Sequence, residues 1–353
     1  MMPGPDFLLA ARIPSWTDWV FALSDAYLAG LGVWLLILIA TPWVLVRLYR
    51  HGLSARGKIA VKATFSCWLF ACLLTVVEVY FAFVFDSTDS FDITNVSRVW
   101  YTRHIQPELY PLTFRSGETI LFRDDRPLPD RLEPGQEHVC FLGDSFTFGH
   151  GLADVTQRFS NRLRTALDAA RPGKYVVSNL ADAGKDLPWC EAVVNRMVSD
   201  GRRIDVLVYV VCLNDIESYH ANHMQLYEQI EAIRPRSFLV RETYFPNLLY
   251  CRLRVAAVPK IRDYYGFLAD YYQGPPWQKM ASDWDRWRQA CLTADIDFRV
   301  VIFPFLQNLD RPSPVRCGAG GDCKLLQKRG TPLCGSPRSA QAACRRESDR
   351  QLV

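Results

Sequence analysis

Two stretches of uninterrupted apolar residues dominate the first ninety positions. Leu28–Val46 runs nineteen residues without a charge, and Ala63–Phe85 runs twenty-three with only Glu78 ionisable. A helix rises about 1.5 Å per residue, so either run is long enough to cross a hydrocarbon layer about 30 Å thick. The pattern predicts transmembrane helices over 28–46 and 63–85. The late start of the first run, with no basic lead-in, argues against a cleaved signal peptide. Between the runs, residues 47–62 carry Arg47, Arg50, Arg56, Lys58 and Lys62, whereas residues 1–27 hold only Arg12 and an acidic stretch, Asp86 to Asp92, follows the second run. The positive-inside rule then places the 47–62 loop in the cytoplasm and both flanks outside. The chain reads as a multi-pass protein of the cell (inner) membrane with everything after residue 85 on the periplasmic or extracytoplasmic side. Glu78 reads as a neutral or snorkelling residue in preference to a functional intramembrane carboxyl.

After residue 137 the periodicity changes. Short apolar runs at Val139–Leu142, Tyr175–Leu180, Asp205–Val211 and Phe298–Phe303 alternate with helix-period stretches at Gln157–Ala170 and Leu187–Ser199. Strands apolar on both faces, separated by helices, predict an α/β domain around a parallel sheet. Its bounds are 138–310, with a mostly helical insertion at 217–295. Trp277, Trp284 and Trp287 in that insertion fit buried packing better than sugar stacking. Residues 86–137, rich in proline and dotted with aromatics, read as a connector packed on the domain. The net charge of +4 is too small and dispersed to argue for a nucleic-acid partner.

Candidate chemistry gathers where the first strand ends. Val139-Cys-Phe-Leu142 drives into Gly143-Asp144-Ser145 and then Phe146-Thr147-Phe148-Gly149. Gly143 permits a sharp turn and Asp144 can brace it through backbone amides, lifting the Ser145 hydroxyl to the carboxyl edge of the sheet as a candidate nucleophile. This block resembles the first signature of the SGNH/GDSL hydrolase family, in its membrane-anchored bacterial form. Asn179-Leu-Ala-Asp-Ala-Gly184 is similar to the second block and Val211-Cys-Leu-Asn214-Asp215-Ile216 to the third, with Cys212 where the family usually has glycine. Trp100, His104 and Phe122-Arg123-Asp124 are similar to elements preceding the domain in anchored members, a structural role being favoured for His104. The resemblance covers about residues 95–310. It implies a three-layer α/β/α, flavodoxin-like domain in which Ser145 attacks an ester. The oxyanion would be held by the Ser145 and Gly184 amides and the Asn214 side chain, with Gly143 and Asp144 in support and no cofactor.

The family's fourth block, Asp-x-x-His, is missing. The six histidines are His51, His104, His138, His150, His220 and His223, none beyond residue 223, so no catalytic Asp/His pair is found. Residues 311–353 form an aberrant, disorder-prone tail holding Cys317, Cys323, Cys334, Cys344 and seven arginines, while all 10 Trp, 15 Tyr and 20 Phe precede it. Those cysteine spacings do not match zinc geometry, and no metal site is expected. Cys190, Cys251 and Cys291 could pair in an oxidising compartment. The tail composition suits a truncated or shifted reading frame better than ordinary disorder, because a one-nucleotide shift from Asp322 onward permits a helix–turn–strand pattern. The expected function is a membrane-anchored extracytoplasmic serine esterase or acyl hydrolase, impaired in this chain by loss of the base. Its substrate would be a glycan O-acyl group or a lipid ester. An envelope-glycan O-acyltransferase and a non-catalytic glycan-binding or assembly module are the alternatives.

Overall fold

In the computed structural model, residues 23–51, 54–89, 91–220, 224–262, 268, 271–272 and 274–303 are described. The segment 1–22 and the tail 311–353 therefore lie outside the described residues, as does His223. The chain divides into two units. One comprises described residues 23–107 and 227–259, and the other residues 108–226 and 260–303.

The first unit is helical. α1 (Asp25–Arg50) starts where the Ser24 hydroxyl accepts from Tyr27 N–H, and α2 (Ala55–Phe83) where Ser54 accepts from Gly57 N–H. Each capping hydroxyl satisfies an amide that the first helical turn leaves unbonded. Both helices extend beyond the apolar runs into the basic loop. They are joined by two indole donors, Trp34 Nε1 to Thr75 Oγ1 at 2.9 Å and Trp68 Nε1 to Leu38 O at 2.8 Å. The remaining apolar surface stays open, with Ile39 69% and Trp43 83% exposed. α3 (Asn95–His104) follows, capped by Thr94. His104 bonds Asp86 at 2.7 Å and lies against the Trp100 ring, so its contacts are structural ones inside this unit.

The middle of the insertion belongs to this helical unit. α7 (Met224–Glu231) leads to α8 (Phe238–Glu242) and α9 (Phe245–Ala256), and α9 is seated on α2 by Glu78. The Glu78 carboxylate accepts from Tyr244 N–H at 2.7 Å and from Phe245 N–H at 2.9 Å. It caps the start of α9, a use of the residue that its place in an apolar run did not announce. Tyr27, Ala82, Val96, Val99, Tyr244 and Leu248 close a small core around this junction.

The second unit holds the sheet. β1 (Leu109–Thr113) and β2 (Thr119–Arg123) form an antiparallel hairpin. β3 (Glu137–Gly143), β4 (Tyr175–Asn179), β5 (Val206–Cys212) and β6 (Asp297–Phe303) form a parallel sheet in the order β4-β3-β5-β6. α4 (Ser145–Phe148) and α5 (Phe159–Ala170) connect β3 to β4, and α6 (Leu187–Ser199) connects β4 to β5. The turn α10 (Pro259–Arg262) and α11 (Pro275–Thr293) lead into β6. Side chains alternate across a strand, and both faces of this sheet are covered. Cys140, Leu142, Leu207, Tyr209 and Val211 pack against α6 and α11, whereas Val139, Phe141, Val208 and Val210 meet Phe159 and Leu167 of α5. Trp284 and Trp287 of α11 are buried against Tyr209 in this core. Cys190, Cys251 and Cys291 are buried free thiols.

Candidate active site

β3 ends at Gly143, whose φ of +156° is one that side-chain-bearing residues rarely adopt. Space enforces the same choice: a Cβ there would sit 2.4 Å from Thr147 Oγ1 and 2.6 Å from the Val210 carbonyl oxygen. The chain turns through Asp144, whose carboxylate accepts from Phe146 N–H at 3.0 Å and caps α4. Ser145 is the first residue of α4 and is half-buried. Among the described residues, no side chain hydrogen-bonds its hydroxyl.

Gly184 and Asn214 follow the carboxyl ends of β4 and β5, the strands flanking β3. The three predicted site segments therefore leave one edge of the sheet from three adjacent strands. Gly184 is exposed with φ +69° and has open space where a side chain would stand. Asn214 lies beside Asp144, and its buried Oδ1 has no hydrogen-bond partner. Its amide nitrogen donates to the Asp144 carboxylate.

The electrostatics of the turn are set by burial. Burial pushes the Asp144 carboxyl up, while the donors of Phe146, Asn214, Thr147 and Cys212 pull it back in part. Asp215, 5% exposed, is pushed well above the usual carboxylate range by burial and by repulsion from Asp144, although Tyr209 OH donates to it at 3.0 Å and Cys212 N–H at 3.3 Å. Two like carboxyls taken out of water resist simultaneous ionisation.

A second layer fixes the Ser145 turn from behind. Asn179 Nδ2 donates to Thr147 O at 2.8 Å, Arg158 to Phe148 O at 3.2 Å, and Arg123 to Gly149 O and Leu152 O, both at 2.7 Å. These carbonyls belong to the end of α4 and the loop after it, groups that have no partner within the helix. Arg123 is fully buried and held by Glu108 at 2.6 Å, and Arg158 by Asn161 at 2.8 Å. Asp124 in turn accepts from Asn161 and Arg164, each at 2.9 Å. Nothing in the sequence named Asn179, Arg158 or Asn161 as supports of the turn. The available signal was the placement of polar residues at strand ends and helix starts otherwise filled with apolar ones.

No protein-family model matches the chain, and neither does any curated protein. Any likeness to a known enzyme rests on the three motifs and on what surrounds them. Among the described residues, no histidine side chain hydrogen-bonds the Ser145 hydroxyl. His138 is buried near the start of β3, bonding Arg203 O and Ser178 Oγ at 2.7 Å each, and burial pulls its pKa down. His150 donates its backbone amide to Ser145 O, while His220 stacks on Tyr271 with ring centroids 4.1 Å apart. His51 ends α1 in the helical unit.

Proposed function

We propose that this chain is a membrane-anchored serine esterase or acyl hydrolase of the SGNH/GDSL type, with the three-layer, flavodoxin-like α/β/α domain that type implies. One observation carries the reading: Ser145 stands on a glycine-dependent turn at the end of β3, between strands whose ends present Gly184 and Asn214. In the reaction the Ser145 oxygen attacks the ester carbonyl carbon and gives up its proton to a base. The carbonyl oxygen, now negative, takes hydrogen bonds from Ser145 N–H, Gly184 N–H and the Asn214 amide. Each such donor is worth about 3 kcal/mol of transition-state stabilisation. Collapse of the tetrahedral intermediate releases the alcohol, and water or a second hydroxyl then takes the acyl group, so hydrolase and acyltransferase share these residues.

α1 and α2 are proposed to span the inner membrane, with the basic turn between them in the cytoplasm and the sheet unit outside. That location favours acyl groups on envelope glycans or lipid esters as substrates. The missing base favours one second reading, a non-catalytic module that retains the pocket. A fluorophosphonate probe separates the two. Labelling lost in Ser145→Ala identifies a competent nucleophile. Labelling absent here but restored by an Asp-x-x-His C-terminus from another reading frame identifies an enzyme with a shifted frame. Absence in both chains sinks the enzyme reading.

A further inference from the structure

The helical unit carries a charge anomaly. Between residues 234 and 254 lie Arg234, Arg236, Arg241, Arg252 and Arg254 against the single carboxylate of Glu242, in a chain whose net charge is only +4. Arg234, Arg236 and Arg254 line an open pocket of about 430 Å³ together with Ser237 and Tyr250. Arg234 is paired with Glu231 at 2.6 Å, but Arg236 and Arg254 form no ion pair among the described residues. A guanidinium offers a planar fork of donors that matches a phosphate group.

Apolar side chains stand beside the same pocket. Phe238 is 58% exposed, Leu239 70% and Leu253 64%, and Leu249 shares the Leu253 stripe of α9 one turn away. Helices with leucines and arginines on their open faces lie along the boundary between headgroups and acyl chains. The depth of this element follows from its attachments. Glu78, which caps α9, lies seven residues before the end of the second apolar run, about 10 Å at helical rise. Tyr27, whose ring meets Tyr244 at 4.8 Å, directly precedes the first run, and Ser24 bonds Glu242 of α8. Tyr27 and Ser24 tie α8 and the start of α9 to the place where the apolar surface of α1 begins, and Glu78 sets the start of α9 no more than about 10 Å inside that of α2.

We propose that α8 and α9 form a membrane-interface element whose arginine pocket binds the phosphate of an anionic phospholipid headgroup. Phe238, Leu239, Leu249 and Leu253 rest among the acyl chains beside it. The proposal depends on α1 and α2 spanning a bilayer, and its test keeps the two claims apart.

The full chain is placed in nanodiscs of mixed phosphatidylglycerol and phosphatidylcholine, and the lipids retained after mild extraction are counted by native mass spectrometry. The wild-type chain retains phosphatidylglycerol preferentially. R236E/R254E, with R236Q/R254Q as the gentler pair, lowers that preference at least about fivefold, the factor expected for one surface arginine near anionic lipid. Benzoylphenylalanine at position 253 crosslinks to lipid in the same discs. A chain that resists alkaline carbonate extraction but shows no preference, or one that both arginine pairs leave unchanged, overturns the headgroup site. A chain that carbonate releases overturns the spanning reading on which the site stands.

Discussion

Asp215, the residue after Asn214, carries its carboxyl into the interior, and burial there has a measurable consequence. An aspartate in water titrates near 3.9. The folded value is higher, so between the two values the folded protein holds a proton that the unfolded chain has released. The stabilisation is complete below the unfolded value and is lost as pH rises through the folded one. Asp215→Asn keeps an acceptor for Tyr209 and carries no charge. We expect thermal melts from about pH 4 to about pH 8 to show the wild-type melting point falling relative to this variant. Parallel curves would contradict the assignment. At this scale the sequence was informative where a residue type had a single purpose. Gly143, Ser145 and Asn214 were legible because a strand ran into them and stopped. Asp215 was quoted as part of a motif, but its burial depends on packing by Tyr209 and the β5 backbone that no local pattern records.

At the scale of elements, four residues of α4 are too short to hold themselves in place. An isolated helix of this length is unstable in water, and its form depends on outside contacts. Arg123 supplies two of them from β2, which makes the small hairpin a support for the Ser145 turn. Removing that side chain in Arg123→Met takes the guanidinium donors from Gly149 O and Leu152 O and the cation from Glu108. Loss of one partner from a buried ion pair costs about 3–5 kcal/mol, and because Glu108 is 24% exposed the lower end applies. Denaturant unfolding of the detergent-solubilised chain would measure it. Adding Glu108→Gln to the same chain should recover part of the loss, and no recovery would mean that the pair is not the source. Strands β3 to β6 and helix α6 stand where the apolar periodicity put them, because each buries its own pattern. The grouping of α8 and α9 with the N-terminal helices was not legible, since the deciding contact comes from a single carboxylate 166 residues away.

On the scale of the whole molecule, two units built on different principles share one chain. The sheet unit buries its apolar side chains in its own core, whereas α1 and α2 leave theirs outward. That difference supports assigning the helices to lipid and gives the proposed sidedness a direct check. Protease added to spheroplasts should cut within the sheet unit and spare the basic turn between the two helices. Cleavage of that turn alone would reverse the orientation.

The Glu78 cap also bears on how the protein is made. Its backbone partners at Tyr244 and Phe245 are translated 166 and 167 residues later, after β5 has been completed. At cellular elongation rates of about 5–20 residues per second, that leaves the carboxylate waiting for roughly ten to thirty seconds. During this interval the hairpin presents a carboxylate without its backbone partners to any chaperone or protease that monitors such groups. Arrival of α9 ends that exposure, so the first helices made are among the last to become fully native.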